Sequence, residues 1–306
     1  MQGQPPAPAR ADLRSNSLVA LVEAMRPKQW IKNAVVFAAL VFDIKLFRLQ
    51  NFVLVALAAV LFCCISAATY LFNDLLDVEA DRNHPLKSKR PIASGRLSPA
   101  GAGVAIAVLL LAAFPAAIAV RPLLAAVLAT YVIVNIAYTF VLKHWVIIDV
   151  FVIAAGFVLR AAAGAVVIGV PISPWLYVCL VLLSLFIGFS KRRHEIVLLE
   201  GNAASHRRIL DDYSPELLDN LISVVSAATI MAYSLYTFSA PNLPEDHAMM
   251  LTIPFVVYGL FRYLYLVHQR NGGGAPEQVL LDDLPLLASI VLWGVSATLI
   301  LYHPWG

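Results

Sequence analysis

The chain has 306 residues, of which 60% are hydrophobic and only 13% charged. A soluble domain carries about 25% charged residues, so the composition excludes one and specifies an integral membrane protein. The net charge of +3 excludes nothing by itself, and its placement along the chain carries the information.

Residues 1–17 are polar and rich in Pro and Ala; they are expected to form a disordered arm, with no removable signal peptide, ahead of a single intramembrane domain over 18–306. Leu18 to Met25 has helical apolar spacing and suits a stretch lying in the membrane interface before Pro27. Nine hydrophobic segments follow, at 30–47, 51–72, 100–120, 122–141, 146–169, 174–190, 217–240, 248–268 and 280–302. They are long and do not alternate, which excludes a barrel and predicts an all-α, polytopic bundle. The first has the shortest clean apolar core. Arg121-Pro122 marks a tight turn, and Pro171 and Pro174 separate the fifth segment from the sixth. Cys63, Cys64 and Cys179 all lie inside apolar runs and read as small core residues.

Lys and Arg assign the sidedness. Arg10, Arg14, Arg26, Lys28 and Lys32 precede or open the first segment, Arg82, Lys87, Lys89, Arg90 and Arg96 follow the second, and Lys191, Arg192, Arg193, Arg207 and Arg208 follow the sixth. Lys143 and Arg270 lie in the two other loops of that side, whereas the opposite side has only Lys45, Arg48 and Arg121. The positive-inside rule places the rich side in the cytoplasm. The N-terminus is then inside, the C-terminus outside, and the bundle in the plasma membrane.

The stretch from Asn73 to Arg82 reads N-D-L-L-D-V-E-A-D-R and closes the second segment. At about 100° per residue, Asp74, Asp77 and Asp81 fall within roughly 60° of one another on a helix. Tyr70 joins that face one turn earlier, Asn73 lies at its edge, and Glu79 points away. Three carboxylates on one face repel each other unless a cation lies between them. The stretch therefore points to Mg²⁺ with an anionic substrate completing its coordination; the plain alternative is a solvated helix end. The loop that follows, with Lys87, Lys89 and Arg90, suits a diphosphate whose oxygens are shared between metal and cations. Positive-inside bias accounts for part of that charge.

Further polar residues interrupt apolar runs. Tyr138, Lys143, His144, Asp149 and Arg160 come from the fourth and fifth segments. Asp149 and Arg160 share a helix face but lie about 16 Å apart along it, so they do not pair. Arg160 is near the middle of its span and needs a polar cavity or a partner on another helix. K-R-R-H-E, Lys191 to Glu195, is either a topological anchor or a seat for an anionic lipid headgroup. In R-P-K-Q-W-I-K-N, Lys28 and Lys32 are spaced i,i+4, share a helical face and can reach phosphate, with Trp30 as interfacial anchor. His144 has no second histidine at ligand spacing, and Arg262 is a second buried charge without an assigned partner. No P-loop, G-x-S-x-G or H-E-x-x-H occurs, and Gly272–Gly274 reads as a connector. Gly156 and Gly164 permit close helix packing, within or between subunits, so self-association into a homo-oligomer is left open.

N-D-L-L-D-V-E-A-D resembles the N-D-x-x-D-x-x-x-D motif of the UbiA superfamily of intramembrane prenyltransferases. The resemblance implies helices arranged around a central polar cavity. The superfamily's second motif, D-x-x-x-D after the sixth helix, is replaced here by K-R-R-H-E. R-P-K-Q-W-I-K-N, Y-L-F-N-D-L-L-D-V-E-A-D-R-N-H-P, K-R-P-I-A, Y-T-F-V-L-K-H, F-V-L-R-A-A-A-G and G-A-P-E-Q resemble the decaprenyl-phosphate phosphoribosyltransferase branch. That likeness covers nearly the whole chain after residue 20. It implies Mg²⁺-dependent transfer of 5-phosphoribose from phosphoribosyl diphosphate to a polyprenyl phosphate, for arabinose donors of cell-wall polysaccharide, with no nucleic-acid partner. On this reading Asn73 and Asp77 bind the metal, with Asp74 and Asp81 in support. Tyr70, Lys32, Lys87, Arg90 and Lys143 hold phosphoribosyl diphosphate, Lys28 and Tyr138 bind substrate without further division, and Arg160, Lys191 and Arg192 approach the lipid or sugar phosphate, undivided. The alternatives are a prenyltransferase consuming a prenyl diphosphate with an aromatic acceptor, and a transporter for a phosphorylated metabolite.

Overall fold

The computed structural model describes residues 10–84, 87–171, 173–199, 212–240, 243–270, 274 and 276–302. Residues 1–9 of the arm expected at 1–17 and the Arg207–Arg208 pair lie outside them. Among the described residues the fold is all helical. A helix α1 (Arg10–Ala24) leads into a 3-10 stretch, Pro27–Phe37, and a short α2 (Ala38–Phe42). Then come α3 (Leu49–Leu76), α4 (Val78–Arg82), α5 (Pro99–Val120), α6 (Pro122–Phe140) and α7 (Ile148–Ile168). The second half holds α8 (Pro174–Leu199), α9 (Pro215–Ser239), α10 (Ile253–Gln269), α11 (Pro276–Asp282) and α12 (Leu284–Tyr302).

Among the described residues, eight helices are long and apolar enough to cross a membrane: α3, α5, α6, α7, α8, α9, α10 with its preceding 3-10 turn, and α12. They correspond to the second through ninth expected segments. Their starts follow local chemistry. Ser98 and Ser214 cap α5 and α9 by accepting the N–H of Gly101 and Leu217 (both 3.1 Å), with Pro99 and Pro215 in the first turn where no N–H is needed. α7 stops at Gly169, whose left-handed φ of 70° suits glycine, and Arg121 Nη1 donates to Val166 O (2.8 Å) beside it.

The first expected segment, 30–47, is not one continuous helix. It winds as a 3-10 stretch for eleven residues, far beyond the usual three or four, before α2 and a turn at Ile44 with φ 54°. The physical reason lies in Asn33, which is 3% exposed and turned into the bundle, where its side chain is held by Arg160. In a 3-10 stretch i and i+3 align, so Lys28 and Lys32 fall about 120° apart instead of sharing a face. Lys28 is exposed and Lys32 half-buried.

Two cores flank α7. One joins the first segment to α3, α5, α6 and the end of α7 through Val36, Leu40, Phe62, Leu124, Leu128 and Val167. The other joins the start of α7 to α8, α9, α10 and α12 through Val150, Phe186, Phe189, Leu218, Ile222 and Leu286. Close approach to α7 is fixed by glycine: a Cβ at Gly164 would overlap the Val36 carbonyl, and one at Gly188 the Val150 side chain. α1 packs Ala20 and Ala24 against Leu71, Ile92 and Leu97, and Arg96 clasps Glu23 (2.6 and 2.9 Å). That hydrogen bond holds the Glu23 carboxyl below its ordinary value.

Candidate active site

The acidic motif sits where α3 ends. Asp77 leaves the helical region (φ −92°, ψ 7°) and α4 starts at the next residue, so the three carboxylates lie on a bent rather than a straight helix. Asp74 and Asp81 are buried, and the cations between them are guanidinium groups. Arg90 Nη1 donates to Asp74 Oδ1 (3.0 Å) and to Asp81 Oδ2 (2.7 Å). Arg26 Nη2 donates to the same Asp74 oxygen (2.5 Å), with its guanidinium 5.1 Å from the centre of the Tyr70 ring. Asn73 Oδ1 accepts from Thr139 Oγ1 (2.8 Å), which ties the end of α6 to the end of α3. The Asp77 carboxylate has no ion pair or side-chain hydrogen bond among the described residues.

These contacts sort the donors. No three of His, Cys, Asp and Glu converge as a ready-made metal cluster among the described residues. Asn73 and Asp77 are four residues apart, supply hard oxygen donors, and keep one carboxylate unmatched by any cation among the described residues. That set fits Mg²⁺, which takes one or two carboxylates and fills the rest of its octahedron with water and phosphate oxygen. His84 lies in the adjoining loop; partial burial and the Lys87 ammonium hold its imidazole below the ordinary value, and its Nδ1 accepts the Lys87 N–H (3.2 Å).

The remaining expected residues divide between this mouth and the scaffold. Lys28, Lys143 and Lys191 have no ion-pair partner among the described residues and are at least half-exposed or intermediate in burial. Arg192 is 2% exposed: Nε donates to Asp149 Oδ2 (2.7 Å), Nη1 to Glu195 Oε2 (2.5 Å) and Nη2 to the Tyr138 hydroxyl (3.3 Å). Tyr213 completes this network by donating to Asp149 Oδ1 (2.8 Å) while accepting the Ile147 N–H (2.6 Å), and burial pushes its phenol up. Arg192 and Tyr138 thus brace α6, α7 and α8. Arg193 is matched to Asp219, and Arg262 has its partner in Asp283 (2.8 and 3.0 Å).

Arg160 is 5% exposed, and its partners are all uncharged. Nε donates to Asn33 Oδ1 (2.7 Å), Nη1 to Gly156 O (2.7 Å) and Nη2 to the Tyr131 hydroxyl (3.1 Å). The rings of Phe62, Tyr131 and Phe157 lie 5.0–5.5 Å from its guanidinium carbon. Asn33 also donates to Cys63 Sγ (3.1 Å). Cys63 precedes Asn73 by ten residues of unbroken α3, so this nest lies about 15 Å deeper than the metal-facing pair. The structure does not bring Arg160 together with the acids. Reading the sequence alone also missed Arg26 as Asp74's partner; an Arg directly before Pro at the end of α1 was its only signal.

The match to known proteins follows the same lines. The chain matches the model of the UbiA prenyltransferase family over residues 34–281, and it belongs to that family. Within it, the chain is 36% identical to decaprenyl-phosphate phosphoribosyltransferase of Corynebacterium glutamicum over 92% of this chain and 86% of that protein. It is 33% identical to the protein of that name from Mycobacterium tuberculosis, over 95% of this chain and 94% of the relative. The fold is similar to that of a UbiA homolog from Archaeoglobus fulgidus bound to GPP and Mg²⁺ (TM-score 0.70, 17% identity, 92% of this chain and 99% of that one).

Proposed function

We propose that the chain transfers 5-phosphoribose from phosphoribosyl diphosphate to a polyprenyl phosphate and releases diphosphate. The observation that carries this reading is an asymmetry of charge. The end of α3 is acidic and offers Asn73 and Asp77, whereas α8 carries K-R-R-H-E where the superfamily's second acidic motif falls: Arg192 and Arg193 are matched there to Asp149 and Asp219, and Lys191 has no ion-pair partner among the described residues. One acidic site serves one diphosphate. An unmatched lysine in place of a second metal-binding acid suits a lipid that is a monophosphate.

The chemistry needs little from the protein by way of proton transfer. A phosphate monoester is anionic at neutral pH, so the nucleophile requires no general base. The lipid phosphate oxygen attacks the anomeric carbon, the bond from that carbon to the diphosphate breaks, and the electron pair leaves with the diphosphate. Mg²⁺ bound at Asn73 and Asp77 would supply neutralisation of the leaving group. Arg90, Lys87, Lys32 and Tyr70 hold the diphosphate end, Lys143 the sugar phosphate, Lys28 the approach from the cytoplasmic surface, and Lys191 the lipid phosphate. Asp74 and Asp81 fix Arg90. Arg192 and Arg160 act on the scaffold, the first by bracing α7 to α8 and the second by holding the 3-10 stretch through Asn33.

The reaction faces the cytoplasm of the plasma membrane, where the positively charged loops lie. The product would feed arabinose donors for cell-wall polysaccharide. Membranes carrying wild-type protein are expected to move labelled phosphoribose onto lipid, and Asp77→Ala membranes to lose that transfer. Wild-type transfer by Asp77→Ala would contradict the assignment. Consumption of a prenyl diphosphate, with phosphoribosyl diphosphate inert, would favour a prenyltransferase instead.

A further inference from the structure

Asp74 and Asp81 both turn towards guanidinium groups, and Asp77 does not. The three carboxylates carry three negative charges and Arg26 with Arg90 two positive ones, which leaves a single unmatched negative charge at Asp77. A metal–diphosphate complex is itself anionic. Three bare carboxylates would repel it, and a cluster with two of them neutralised would not. We propose that Arg26 is a diphosphate-binding residue of this site, and that Asp74 and Asp81 are positioning residues that hold Arg26 and Arg90 as a pair of forks. Asp77 and Asn73 are then left to face the metal. The inference rests on the preceding reading only in taking a diphosphate as ligand, a group that sugar and prenyl donors share.

The geometry of Arg26 supports this role in three ways. Its Nη2 and Arg90 Nη1 meet at one oxygen, Asp74 Oδ1, so the two nitrogens lie less than about 5.5 Å apart. Asp74 and Asp81 together hold the two guanidinium groups side by side through one nitrogen of each, and their remaining N–H groups are left open to a bridging anion. Nε and Nη1 of Arg26, and Nε and Nη2 of Arg90, donate to no carboxylate among the described residues. On Arg90, Nε and Nη2 form one edge suited to bidentate guanidinium–phosphate pairing; on Arg26, Nε and Nη1 point to different sides and each offers a single N–H to phosphate.

The backbone makes the same point. Arg26 is left-handed (φ 55°, ψ 63°), between α1 and Pro27, a conformation that side chains with a Cβ avoid. It is held by its N–H to Glu23 O (3.1 Å) and by its carbonyl accepting from Gln29 N (2.9 Å). A straight helical continuation would carry the side chain along α1; the left-handed turn aims it at Asp74, over the Tyr70 ring. The side chain stays 31% exposed, so one edge remains accessible.

The test uses the purified full chain in detergent with two binding readouts and no donor substrate. Calorimetry measures inorganic diphosphate in the presence of Mg²⁺, and electron paramagnetic resonance counts bound Mn²⁺. Arg26→Gln should weaken diphosphate binding about tenfold or more, with Arg26→Lys recovering part of it, while Mn²⁺ binding persists. Asp74→Asn should also keep Mn²⁺ and weaken diphosphate, and adding it to Arg26→Gln should cost little more, as expected for residues acting as one unit. Asp77→Asn should lose Mn²⁺. Diphosphate binding by Arg26→Gln within twofold of wild type would overturn the proposal. So would loss of Mn²⁺ in Arg26→Gln or Asp74→Asn, because the division between guanidinium and metal sites would then fail. Failure of phosphoribosyl transfer with these binding results intact would overturn the donor assignment alone.

Discussion

At the end of α3, Arg26 and Arg90 are matched by Asp74 and Asp81 and keep part of each side chain exposed; in the middle of α7, Arg160 is buried and faces no carboxylate among the described residues. The mouth neutralises charge with charge and leaves one acid, Asp77, over. The nest gives each of the three Arg160 nitrogens one neutral acceptor, an amide, a carbonyl and a hydroxyl, surrounds the guanidinium with three rings, and admits almost no solvent. A site meant to take an ionic ligand needs a residual charge and an accessible edge. A site meant to fix helices needs its polar nitrogens bonded to the elements it joins and closed to solvent, since an unsolvated charge in a low dielectric costs several kcal/mol. The difference separates binding from scaffolding more cleanly than the residue type does.

Breaking the mouth should have the largest effect. Asp77→Ala removes the one unmatched carboxylate and should lower phosphoribosyl transfer by about 100-fold or more, with chain stability unchanged by thermal melting in detergent. The opposite pattern is expected at the closed Asp149–Arg192 network. Asp149→Asn leaves Arg192 buried with one carboxylate fewer and should destabilise the fold by about 3–5 kcal/mol, seen as a lowered unfolding midpoint together with reduced yield. The nest should respond in between. Arg160→Gln and Asn33→Ala should each raise KM for phosphoribosyl diphosphate about tenfold with KM for the lipid little changed, and the double variant should be no worse than either. An Arg160→Gln defect that adds fully to Asn33→Ala would move Arg160 from scaffold to substrate contact.

Much of this was legible in the sequence. Hydropathy located the eight spanning helices, because a membrane span must satisfy its backbone internally and be apolar along its length. Seven have ends within about four residues of the expected ones, and α8 runs past the expected end at 190 because its charged K-R-R-H-E stretch continues the helix to Leu199. The acidic stretch announced itself as charge in a protein that avoids it, and the branch motifs pointed to the reaction. The pairing of charges was hidden. Asp74 meets Arg26 across 48 residues and Arg160 meets Asn33 across 127, and a helical periodicity carries no information about contacts that distant. The 3-10 winding of the first segment was hidden for the same reason. Its cause is the burial of Asn33 against another helix, and read locally the stretch favours an α-helix with Lys28 and Lys32 on one face.

The smallest expected effect lies at the edge of the mouth, where Glu23 and Arg96 fasten α1. The Glu23 carboxyl is held below its ordinary value by its hydrogen bond to Arg96, so the contact is present above the ordinary carboxylate range and is lost as pH falls through the lowered one. Both side chains are about half exposed, so solvent screens the pair. Amide exchange in α1 should therefore quicken only below that range. Arg96→Gln should remove the pH dependence while leaving transfer nearly intact.

The central claim is tested most directly by the mass of the lipid product. Purified protein is incubated with Mg²⁺, phosphoribosyl diphosphate and polyprenyl phosphate, and the lipid is weighed by mass spectrometry. The lipid is expected to gain one phosphoribosyl group for each diphosphate released. An unchanged lipid, with a prenyl diphosphate consumed on an aromatic acceptor under the same conditions, would contradict it.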